Sequence, residues 1–146
     1  MGFLRESSTF GGDVNLLAQI ALGVVLLGGM ALARRGRYAA HGVCQASAFL
    51  LMLALTVLWM VPALRDTYAD GLGRGVVNRV NVAVAAHAVL GTAVLVLGAW
   101  IVLVAGTPLV PRAWRFVSYA RWMRTLLALW WLEIGLGVLT YWFATS

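Results

Sequence analysis

Four runs of apolar residues, each long enough to cross a bilayer, fill most of this 146-residue chain and decide what it can fold into. About 20 apolar residues in helical form span the roughly 30 Å of hydrocarbon, where no water satisfies a loose backbone. The runs cover approximately residues 13–33, 41–63, 80–104 and 125–144. Short connections make successive spans alternate in direction. The expected fold is therefore an all-α, integral membrane four-helix up-down bundle, with 1–146 as a single transmembrane domain. The composition excludes a soluble domain, with 11% charged residues against the usual quarter or so.

The connections carry the orientation. Arg34, Arg35, Arg37, Arg112, Arg115, Arg121 and Arg124 fall in the 1–2 and 3–4 connections, and only Arg5, Arg65, Arg74 and Arg79 on the other side. Basic residues favour the cytoplasmic face, so both termini are expected outside. Tyr38, Trp114, Tyr119 and Trp122 mark the inner interface, and Tyr68, Tyr141 and Trp142 the outer one. Trp130 and Trp131 fall nearer mid-bilayer, where they must pack against helices or a ligand. The Arg residues flank spans rather than gather on one soluble face, which argues against nucleic acid as a partner. Asp13 is placed to cap span 1. Span 2 is expected to end at Pro62, with Leu64–Arg79 an exposed loop or short surface helix. Arg112–Arg124 alternates basic and aromatic residues along the inner surface, read first as a charged turn holding span 4 and second as a lipid-binding segment.

One titratable side chain, His87, stands within span 3. Its helix face carries Ala83, Gly91 and Gly98, with Leu95 between them. Such small neighbours leave room for a close helix or a flat prosthetic group. At about 1.5 Å per residue, His87 lies roughly 10 Å and Glu133 roughly 12 Å below the outer boundary, so Glu133 is the natural partner. His41 begins span 2 at the inner boundary, roughly 20 Å from His87, so the two cannot ligate one haem. It reads first as an interfacial His beside Arg37, and with Cys44 and Gln45 as a candidate inner site. Three roles stay open for His87: a hydrogen-bonded structural imidazole, a metal ligand through haem or another tetrapyrrole, or proton and metal traffic with Glu133. Trp59, Trp131 and Leu136 offer apolar walls for a macrocycle, and Met60 a weak sixth ligand. The cofactor-binding candidates are thus His87, Gly91, Ala83, Glu133, His41 and Trp59, with His87 the metal ligand. No phosphate-binding loop, dinucleotide fingerprint, CxxCH or HExxH occurs, so an enzyme of soluble type has no candidate residues.

The sequence ARRGRYAAH before span 2, AAHAVLG in span 3, and YARW followed by GVLTYW resembles the YozB/CtaM-like family of small four-span bacterial membrane proteins. Arg37, His41, His87, Ala120, Arg121, Trp122, Gly137 and Tyr141 match its pattern. Trp59 and Phe116 stand about where that family carries further histidines. The resemblance implies the bacterial cytoplasmic membrane, association with haem, and help in assembling haem–copper oxidases of the respiratory chain. Two further classes compete with it: a structural subunit of a larger membrane complex without cofactor, and a small proton or solute transporter.

Overall fold

The computed structural model describes residues 1–106, 111 and 118–146, and these are helical with no strand among them. Arg112, Trp114, Arg115 and Phe116 lie outside the described residues. Four helices carry the chain: α1 (Phe10–Arg34), α2 (Tyr38–Gly73), α3 (Arg79–Gly106) and α4 (Tyr119–Thr145). All four are long and apolar enough to cross a membrane. They pack as a bundle whose core joins Leu22 and Leu26 of α1, Ala48 and Met52 of α2, Val94 of α3, and Trp130 and Ile134 of α4.

The first connection is a tight turn at Gly36, whose φ of 73° favours a residue without Cβ. The α1–α2 contacts then run antiparallel. His41 Nδ1 lies 2.8 Å from the Gly29 carbonyl oxygen, while the Cys44 thiol reaches back 3.6 Å to that of Val25. A Cβ on Gly29 would stand 2.9 Å from the Gln45 amide nitrogen, so its absence permits this approach.

Two helix ends depart from the sequence reading. α2 does not stop at Pro62 but continues to Gly73, 36 residues in all. Proline lacks an N–H, and its ring clashes with the carbonyl four residues earlier. Here a π-helical stretch, Thr56–Met60, directly precedes the short α-turn Val61–Ala63 that contains Pro62. A second, Leu64–Tyr68, follows it. These wider turns move backbone bonding to the fifth residue and accommodate the missing donor. At the other connection, α4 begins at Tyr119 rather than near Thr125, so Tyr119–Arg124 is its first turns and not a surface segment.

The cap of α1 also differs. Thr9, not Asp13, is the N-cap, its hydroxyl accepting from the Gly12 amide at 3.1 Å. Asp13 is 0% exposed and holds down the segment that precedes the helix. It accepts from the Phe3 amide, from the Leu4 amide at 2.8 Å and from the Tyr141 hydroxyl at 2.6 Å. Arg5 adds a bond to the Thr145 hydroxyl at 3.0 Å and stacks 4.4 Å over Trp142. The N-terminal residues are thereby stitched across the end of α4.

Candidate functional site

Small residues set the spacing between α3 and α4, and they do so reciprocally. A Cβ on Gly91 would stand 2.6 Å from Glu133 Oε1, and one on Gly137 would stand 3.2 Å from His87 Cε1. His87 and Gly91 are one turn apart on α3, as are Glu133 and Gly137 on α4. Each polar side chain thus lies over the glycine of the opposing helix, which fixes an antiparallel register. His87 Nδ1 and Glu133 Oε1 come within 3.0 Å. The contact lacks hydrogen-bond alignment, since Nδ1 finds no acceptor along its N–H direction. Glu133 is 4% exposed, so its carboxylate meets the bundle and not lipid.

The pair opens onto a cavity of about 440 Å³ lined by all four helices. α2 makes the cavity. Phe49 packs on Gly98, where a Cβ would stand 2.9 Å from the ring, and Gly71 meets Asn81 of α3. Between these two contacts lie both π-helical stretches, and there α2 lines the cavity with Thr56, Met60, Leu64 and Thr67. Ser7, Ser8 and Thr9 of the N-terminal segment close one side of it. The volume falls within the range of roughly 300–1,000 Å³ typical of small-molecule sites.

The walls are largely apolar but carry hydroxyls as well as a group of buried polar side chains. Seven buried side-chain nitrogen or oxygen atoms lack a hydrogen-bond partner among the described residues. Five of them belong to residues lining this cavity: Asn15 and Gln19 of α1, His87 of α3, Glu133 and Thr140 of α4. Buried polar groups without partners cost free energy unless something satisfies them, so their convergence points to a ligand or ordered water in this cavity. His87 Nε2 makes no hydrogen bond to a described residue, which leaves the imidazole with one nitrogen toward Glu133 and one unengaged.

Gly91 lines the cavity as expected, and its role is to admit Glu133. Trp59 lines it too, with its indole against Gly11 of α1. Ala83 does not. It is buried in the packing of α3, and Val84 faces the cavity instead. Trp131 and Leu136 are also absent from the walls, and Trp131 packs against Gly23 of α1. The Thr56 hydroxyl donates to the Met52 carbonyl at 2.9 Å and stands 3.7 Å from the Met60 sulfur. His41 lines a second cavity near the opposite end of the bundle, away from His87. Asn15 and Gln19 lie in the same outer half as His87 and Thr140 near the outer end of α4, but sequence spacing alone does not tell which face of an apolar helix they occupy. No group of three or more potential metal-ligating side chains occurs among the described residues. No protein-family model, curated protein or solved structure matches the chain.

Proposed function

We propose that the chain is a haem-associated accessory protein of a respiratory complex of the haem–copper oxidase type. In this reading it crosses the bacterial cytoplasmic membrane as an up-down bundle with both termini outside, and its haem sits in the cavity around His87. The observation that carries the reading is the imidazole of His87 in that cavity, backed by the Glu133 carboxylate at 3.0 Å. A carboxylate beside one ring nitrogen is a usual partner of a metal-ligating histidine. Here it approaches without an aligned hydrogen bond, so Glu133 would position the ring electrostatically rather than fix its tautomer. Met52, Trp59 and Leu95 give apolar walls, while Gln19 and Thr140 offer donors suited to the acidic edge of a macrocycle. The donor set therefore fits the group. Haem bound there would supply iron-centred redox and ligand-binding chemistry. The chain's own residues hold it by one histidine, exclude lipid from its face and pair its polar edge. The resemblance to the YozB/CtaM-like family supports the same assignment.

A structural role without cofactor is the second reading. It is favoured by the reciprocal glycine contacts, which make His87 and Glu133 a clasp between α3 and α4 whatever else they do. The absorbance spectrum of the detergent-purified protein, before and after addition of haem, separates the two. A Soret band near one haem per chain supports the first. A colourless preparation that takes up no haem and co-purifies with oxidase subunits supports the second.

A further inference from the structure

The second cavity, about 380 Å³, lies between the last turns of α1, the start of α2 and the start of α4. Its floor is apolar, formed by Leu26, Leu126, Leu127 and Trp130. Its rim carries Arg34 from α1 and Arg124 from α4, with His41 and Gln45 from α2 between them. Neither arginine has an ion pair or side-chain hydrogen bond among the described residues. No acidic residue of the chain is available to either. The five carboxylates are Glu6, Asp13, Asp66, Asp70 and Glu133. They belong to the N-terminal segment, the first turn of α1, the far end of α2 and the other cavity.

A second observation points to an occupant. Trp130 is 2% exposed, lines this cavity, and its indole N–H is buried without an acceptor. His41 Nδ1 is taken by the Gly29 carbonyl, which fixes the ring at the rim. The cavity thus combines two uncompensated guanidiniums at its mouth with an apolar floor and one buried donor. A free small anion would use the mouth and leave the floor uncovered. A ligand with an anionic head and a hydrocarbon tail satisfies both parts, and arginine binds phosphate oxygens with matched geometry. We propose that this cavity binds an anionic phospholipid of the adjacent leaflet. Its phosphodiester lies between Arg34 and Arg124, an acyl chain enters the apolar floor, and the ester carbonyl of that chain accepts from the Trp130 indole N–H. Basic pockets between membrane helices commonly take such headgroups.

The test uses the full-length protein in nanodiscs of phosphatidylglycerol mixed with phosphatidylcholine, or of phosphatidylcholine alone. Thermal unfolding and the lipid retained in native mass spectrometry are the two readouts. Wild type should melt higher with phosphatidylglycerol and retain it selectively. Arg34→Gln/Arg124→Gln should lose that difference, with retention falling roughly 25-fold, about fivefold for each arginine. Arg35→Gln/Arg74→Gln, with the same charge loss outside the cavity, should keep it. Phosphatidylcholine-only discs report whether the double variant folds like wild type, and retention is then scored on the folded fraction. Equal loss in both double variants would overturn a specific site in favour of general charge attraction, and undiminished retention in both would overturn a role for Arg34 and Arg124. Stabilisation by inorganic phosphate alone would equally overturn it, assigning the mouth to a free anion.

Discussion

Gly91 lies beneath Glu133, so close that a Cβ there would stand 2.6 Å from Oε1. The cavity's chemistry rests on this contact, because the carboxylate reaches His87 only across a position without a side chain. Gly91→Ala should displace Glu133 from His87 with little net change in stability, because the atom that must move ends a flexible side chain and alanine gains about 1 kcal/mol over glycine in a helix. Gly91→Leu should in addition block haem uptake with His87 still present. Uptake by Gly91→Leu at the wild-type level would show that the ligand lies elsewhere.

Glu133 itself gives a graded prediction. Glu133→Gln keeps the shape and a polar atom toward His87, so stability should hold while haem affinity falls modestly. Glu133→Leu removes the orienting group. Losing such an outer partner typically weakens metal binding by about 10–100-fold, the drop expected in a haem titration. If the leucine variant is silent in both melting and titration, the contact at 3.0 Å has no functional weight.

At the end of the bundle, Tyr141 donates to Asp13 at 2.6 Å, and Asp13 in turn holds the amide of Leu4 at 2.8 Å. The N-terminal segment that closes the cavity therefore depends on one carboxylate. Asp13→Ala should speed hydrogen exchange at Phe3 and Leu4 strongly and leave the amides of mid-α1 protected. Tyr141→Phe should produce a smaller change of the same kind. Unchanged exchange in both would mean that the serines and Arg5 suffice to hold the segment.

Orientation is open to direct test. A reporter active only in the cytoplasm should work when inserted at Gly36, in the α1–α2 turn. Gly71 falls inside α2, so the opposite insertion belongs at Gly75, whose φ of 66° marks the α2–α3 turn, and there the reporter should fail. The reverse pattern would exchange the two faces.

The four membrane-length helices were legible because lipid demands long apolar runs and tolerates little else. The approach of Glu133 to His87 was legible from depth, since Glu133 is the one charged residue of the other spans near that level. Facing was harder. α3 is apolar on all sides, so periodicity did not separate Ala83, which packs, from Val84, which lines the cavity. Pro62 misled for a different reason, because the π-helical stretch that accommodates it is a backbone adjustment without a sequence signature of its own. Asp13 looked like a cap by residue type, yet Thr9 sat four residues earlier with the same capacity. The second cavity was hidden because its arginines read as orientation signals, and only the packing of α1, α2 and α4 brings Arg34 and Arg124 to one rim.

In the proposed reading His87, and not His41, is the haem ligand. His41, with Nδ1 on the Gly29 carbonyl at 2.8 Å, and His87 each keep Nε2 unengaged; what separates them is the cavity, His87 lining the one walled by Met52, Trp59 and Leu95 and His41 the one rimmed by Arg34 and Arg124. The decisive measurement is the Soret absorbance of haem-loaded wild type, His87→Ala and His41→Ala, purified side by side. A band is expected in wild type and His41→Ala and none in His87→Ala. A band that survives His87→Ala and disappears in His41→Ala would contradict that reading and move the site to the opposite end of the bundle.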